Sequence, residues 1–152
     1  MDKFLLHLRV LDGILDKKIN VLKQILNITE NQQTVLSTRV RDSSALTLYK
    51  GMSEEKQKLI DIVNNSDRVF ERAYREISPV FEKEAYNYSG LVKHIQYNIK
   101  QATTLDVRIR VQEARNSAPR HAPPSTRDNK STRKRVAQIY EKNKTAARPR
   151  DN

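Results

Sequence analysis

Leu8, Leu15, Leu22 and Leu36 recur at seven-residue steps, with Thr29 as the one polar gap in the row. A second row of the same period holds Ile14, Val21, Ile28 and Val35. An α-helix turns once in 3.6 residues, so every seventh position returns nearly to the same side. Phe4, Leu11, Ile19, Ile25 and Leu26 widen the two rows into one broad apolar stripe. That stripe exceeds the seam of a two-stranded coiled coil, so the helix needs more than one partner helix. The pattern predicts a first helix from about Asp2 to about Thr38, roughly 50 Å long. Gly13 lies inside it, where glycine costs about 1 kcal/mol against alanine, and it leaves room for a close helix crossing.

The rest of the chain extends this reading. There are only three glycines, and tryptophan is absent. A many-stranded β fold needs turn formers every 8–12 residues or so, and this chain does not supply them. Arg39–Met52 loses the helical period and contains Ser43, Ser44 and Gly51, which reads as a loop; Ala45, Leu46, Leu48 and Tyr49 can form one extra turn there. A second helix is expected to start at Ser53. The serine hydroxyl can accept from a free backbone N–H, and Glu54 and Glu55 suit the positive end of the helix dipole. Leu59, Ile62 or Val63, Phe70, Ala73 and Ile77 make its inward face, with Ser66 as a gap. Ser78-Pro79 ends it, because proline disfavours helical geometry in the residue before it and fits well at a first helical position. A third helix then begins at Pro79 or re-forms nearer Ser89. Phe81, Ala85, Tyr88, Val92, Ile95, Ile99, Ala102, Leu105 and Ile109 carry it towards Asn116. The expected fold is all-α: an elongated, coiled-coil-like antiparallel bundle of three long helices, at about 2–38, 53–77 and 79–116.

Charge separates this body from the C-terminal stretch. The net charge is +11. Residues 1–116 hold 19 Lys and Arg against 15 Asp and Glu, a net +4, while 117–152 hold 10 against 3, a net +7. Pro119, Pro123 and Pro124 stand among polar and basic residues that cannot bury enough apolar surface to order themselves. The chain is therefore expected to have two regions: a helical bundle over 1–116 and a flexible basic tail over 117–152. Within the tail, Val136, Ile139 and Tyr140 share a helical face in the segment 131–143, which alone is too short to be a stable helix.

The sequence offers little to an enzyme. His7, His94 and His121 have no ligand-spaced neighbours, so no metal site is expected. No glycine-rich phosphate loop or nucleophile signature occurs, and no cofactor is expected. Glu82 and Glu84 alternate with lysine, as on a solvated helix face with local ion pairs. Cysteine is absent, which excludes disulfides and fits a reducing compartment. The N-terminal residues lack the pattern of a signal peptide, and no run of about 18 apolar residues is present, so a cytoplasmic protein without a membrane span is expected. Arg133, Lys134 and Arg135, with Lys130, Lys142, Lys144 and the interleaved Tyr140, could touch phosphates and stack on a base. No named nucleic-acid motif accompanies them, and a solvated tail is the plainer reading. What remains is protein binding. A broad apolar stripe can leave a groove for an amphipathic guest helix, with Ile95, Ile99, Leu105 and Ile109 of the third helix as the partner-binding residues; Val136, Ile139 and Tyr140 of the tail either fold back over that groove as a built-in competitor or belong to a solvated tail. The stripe alone does not separate a guest helix from a homodimer.

A resemblance narrows the choice. Glu55-Lys56-Gln57-Lys58-Leu59-Ile60-Asp61-Ile62, followed by Asp67-Arg68-Val69-Phe70-Glu71-Arg72-Ala73-Tyr74-Arg75-Glu76-Ile77, resembles the small flagellar export chaperones of the FlgN/FliT type, as found in Gram-positive bacteria. Gln112-Glu113-Ala114-Arg115-Asn116 is similar to the end of that family's third helix, and Leu22, Ile25, Leu26 and Gln33 sit where relatives carry a leucine- and glutamine-bearing helix. The resemblance covers about residues 1–116. The chain departs from it at Ser66, where relatives are apolar, and in its basic, proline-bearing tail. The resemblance implies a cytoplasmic helical protein, not an enzyme, that binds an aggregation-prone segment of a hook-associated or filament-cap protein and delivers it to the flagellar export machinery. The alternatives from other classes are a basic nucleic-acid-associated helical protein and a structural coiled-coil adaptor.

Overall fold

Asp2 sets the first helix going: its carboxylate Oδ1 accepts from the Phe4 backbone N–H at 3.0 Å, which satisfies one of the free donors of a helix start. The structure, a computed structural model, describes residues 2–37 and 43–118. They are almost wholly helical, and no strand occurs among them. Helix α1 is Lys3–Ser37, α2 is Ser43–Ile77, α3 is the short Phe81–Ala85, and α4 is Ser89–Ser117. Single 3-10 turns, Ser78–Val80 and Tyr86–Tyr88, flank α3.

Two expectations need correction. The stretch read as a loop is helical from Ser43 onward, so α2 begins ten residues before Ser53 and runs for 35 residues, as α1 does. Gly51 lies inside that helix, and a glycine penalty of about 1 kcal/mol is too small to stop one of this length. The third expected span is not one long helix from Pro79. The chain breaks at Ser78–Val80 and again at Tyr86–Tyr88, leaving α4 with 29 residues from Ser89. Proline has no N–H to give and crowds the preceding residue, and the Ser78 hydroxyl turns back to donate to the Arg75 carbonyl at 3.1 Å. The segment 131–143 lies outside the described residues.

The chain divides into two compact units, each built from parts of the same helices. The first takes the chain up to Ile25 with Gln57–Asp106. Its core is Phe4, Leu8, Leu11 and Leu15 from α1, Ile77 from α2, and Val92 and Ile95 from α4. Each such side chain contributes about 2 kcal/mol by leaving water. Phe4 meets Phe81 and Tyr88 with ring centroids 6.0 and 5.8 Å apart, and Tyr74 meets Phe81 at 5.7 Å. These tilted ring contacts hold the broken segment on the core. Along α1 and α2 the pairs His7–Glu76 and Lys18–Asp67 run in opposite directions. Along α1 and α4 the pairs Asp12–His94 and Asp16–Asn98 ascend together, and Asp2 just before α1 meets Tyr88 just before α4. An added Cβ at Gly13 would meet nothing within 4 Å, so no close crossing occurs there.

The second unit takes Leu26–Lys56 with the described residues from Val107. Its buried residues are of a different kind. Beside Leu26 they are Thr29, Gln32, Lys56 and Gln112.

Candidate functional site

The four residues of α4 expected to bind a partner separate into two classes. Ile95 and Leu105 are buried, and Ile99 and Ile109 are half-buried. In the first unit, Ile99 packs against the core together with Phe70 and Ala73 of α2, each only partly covered. On α2, Val69 adjoins Phe70 and remains 38% exposed, and Ile62, seven residues earlier, is equally exposed. The expected inward face of α2 offered Ile62 or Val63; Val63 is the buried one. Phe70, Ala73 and Ile99 thus lie partly covered on the core of the first unit, and Val69 stands exposed next to Phe70 in the sequence of α2. Val136, Ile139 and Tyr140 lie outside the described residues.

Polar contacts among the helices of this unit are specific. Lys18 Nζ donates to Asp67 Oδ1 at 2.7 Å, and both act on Asp106. Burial pushes the Asp106 carboxyl up to about 6; the Lys18 ammonium opposes that shift and the Asp67 carboxylate adds to it. His94 Nδ1 donates to Asp12 Oδ1 at 2.8 Å, and the Asn98 amide donates to Asp12 at 3.1 Å and Asp16 at 3.3 Å. His7 lies 2.8 Å from the Lys3 carbonyl through Nδ1 and 2.6 Å from Glu76 through Nε2. Two acceptors ask for two donors, which only the protonated ring supplies. The bond to the Lys3 carbonyl, and after it the bond to Glu76, accordingly raises the His7 pKa. Tyr88 donates to Asp2, which holds the Asp2 carboxyl below its ordinary range. Both described histidines therefore pair with a carboxylate on another helix. Among the described residues no group of three or more His, Cys, Asp or Glu is placed to hold a metal ion, and no helix is long and apolar enough to cross a membrane.

In the second unit two sets of polar contacts take the place of the apolar core. Lys56 Nζ donates to Gln32 Oε1 at 2.6 Å and to Glu113 Oε1. The Gln32 amide donates to Ser53 Oγ at 2.8 Å. Gln112 donates to Gln33 and, at 3.1 Å, to Asn116, whose own amide donates to the Thr29 carbonyl at 2.9 Å. Among the described residues no buried side-chain nitrogen or oxygen lacks a partner. A satisfied network of this kind discriminates against a slipped register, because sliding one helix would strand an ammonium and several amides in a dry interior. Thr29, the polar gap in the leucine row, thus belongs to a layer of its own kind. Sequence reasoning missed Lys18, Gln32 and Lys56 as interior residues. The signal was present in spacing: Lys18 falls three residues after Leu15 and four before Leu22, which puts it on the buried stripe.

The residues quoted for the resemblance are spread over three helices, and five of them take part in these contacts: Gln33 from α1, Lys56 from α2, and Gln112, Glu113 and Asn116 from α4. No family model matches the chain, and no curated protein or solved structure matches it.

Proposed function

We propose that the chain is an export chaperone of the flagellar type, working in the cytoplasm as an antiparallel helical bundle and catalysing no reaction of its own. The observation that carries this reading is that Gln33, Lys56, Gln112, Glu113 and Asn116 each take part in side-chain hydrogen bonds between helices of the second unit. The mode of action is the one that the resemblance implies. An amphipathic terminal helix of a hook-associated or filament-cap subunit lies along an apolar seam, is kept from assembling early, and is handed to the export machinery. The seam proposed for it, Val69, Phe70, Ala73 and Ile99, is apolar and only partly covered, and a modest contact area permits release.

The test is co-purification from a lysate of the native organism at low and high salt, with the bound proteins identified. Flagellar hook-associated or cap subunits retained at high salt are the expected result. Capture of nucleic acid alone, lost steeply as salt rises, would replace this reading with a nucleic-acid-binding one, since counterion release drives that association.

A further inference from the structure

The two units bury different things. Among the described residues fourteen hydrophobic side chains are buried, and thirteen of them belong to the first unit. Leu26 is the exception. The other apolar side chains of the second unit are half-buried or exposed, among them Ile28 and Val35 of α1, Met52 of α2, and Val107 and Ile109 of α4. What the second unit covers instead is polar: Thr29, Gln32, Lys56 and Gln112.

Burial of apolar surface is the main force that holds a fold closed. A buried polar group that finds a partner gains little beyond the bond to water that it gave up. The Lys56–Glu113 pair is under the same limit, since its attraction is set against the desolvation of both charges. The second unit is therefore well specified and weakly held. Its makeup adds to this, because it consists of the last turns of α1, the first turns of α2 and the last turns of α4. Each piece includes a helix end, with backbone groups that lack partners within the helix.

One group couples the three pieces. The Lys56 ammonium of α2 donates to Gln32 of α1 and to Glu113 of α4 at once. Gln112 and Asn116 of α4 donate in turn to Gln33 and to the Thr29 carbonyl of α1. When any one helix moves away, the buried ammonium loses a partner, and water must enter to replace it. A hydrated ammonium then gains little from the partner it still has. We propose that Lys56 latches the second unit, which opens as one cooperative piece while the first unit stays folded. Such an opening bares Leu26 and completes the exposure of Ile28, Val35 and Ile109, with the core of Phe4, Leu8, Leu11 and Leu15 still closed. The proposal stands on burial and hydrogen bonding and does not require the function proposed above.

Hydrogen exchange of the backbone amides in the full chain, followed residue by residue by NMR at several low urea concentrations, tests it. Amides of residues 28–33, 49–56 and 107–113 are compared with those of 8–22, 63–74 and 92–105. The expected result is protection at least about tenfold lower in the first set, similar across its three helices and falling in parallel as urea is added. In Lys56→Met, protection in all three pieces of the second unit is expected to drop by the same factor. Equal protection in the two units overturns the proposal. So does protection that rises smoothly from each helix end and ignores urea, which is ordinary fraying. A loss in Lys56→Met confined to α2 overturns it as well, because the three pieces would then open independently.

Discussion

At the scale of single residues, the least comfortable group in the molecule is Asp106. Its carboxyl is pushed up to about 6 by burial, beside a lysine already committed to Asp67. A carboxyl whose folded pKa lies above its unfolded one favours folding while it is protonated in both states. That advantage is lost as pH rises from about 4 through about 6. Above that window the buried charge costs on the order of 1–3 kcal/mol. Asp106→Asn is therefore expected to raise stability by about that amount at pH 7.5 and to change it little at pH 4; urea melts at the two pH values measure it. Equal effects at both would mean that the carboxylate is not destabilised by its surroundings. Lys56 presents the opposite case, a buried cation whose partners are all in place. Lys56→Met leaves Glu113 and Gln32 facing an apolar group, and is expected to cost about 3 kcal/mol, since breaking one side of a buried pair strands the other. A thermal melt shows the loss, and an unchanged melt would mean that the polar layer adds nothing to stability.

At the scale of elements, the outcome depends on how each helix signals its ends. The first helix was legible almost residue for residue: the leucine rows predict about 2–38, and α1 is Lys3–Ser37. Leu22 is 2% exposed, as its place in the row requires. Leu22→Asp should destabilise the protein by several kcal/mol, because the carboxylate would enter the stripe without a partner; an unchanged melting temperature would mean that the stripe is not core. The start of α2 was not legible, for a physical reason. Ser43, Ser44 and Gly51 are weak breakers, and each costs less than the burial gained along the Met52, Lys56, Leu59 and Val63 line. Gly51→Ala is accordingly expected to stabilise by about 1 kcal/mol, since an added Cβ there meets nothing within 4 Å and the unfolded chain loses freedom. A loss of stability would contradict a helical Gly51. The interruption after Ile77 was half legible, because Ser78-Pro79 announces a break but does not say how long it lasts. The aromatic contacts of Phe4 with Phe81 and Tyr88 bridge residues more than seventy positions apart, and no local pattern carries that information.

At the scale of the whole molecule, all-α character was legible from the scarcity of glycine and from the sustained helical period. The site was legible only in part. Spacing places Ile95, Ile99, Leu105 and Ile109 on one broad face, but not which of them the neighbouring helices cover; Ile95 and Leu105 are buried, and Ile99 and Ile109 are half-buried. On α2, Val69 is 38% exposed, and the coverage that neighbouring helices give a residue has no trace in the local sequence. The central claim is that this seam grips an apolar terminal helix of a flagellar subunit. Titration calorimetry with the terminal segments of the hook-associated and filament-cap subunits of the native organism tests it most directly, using the parent chain and Val69→Asp. The substitution falls on an exposed residue, so the fold should survive it. The account predicts saturable binding of at least one segment that persists at high salt, weakened about tenfold or more by Val69→Asp, a loss of about 1.4 kcal/mol. Absence of binding to every segment, or binding that Val69→Asp leaves untouched, would contradict it.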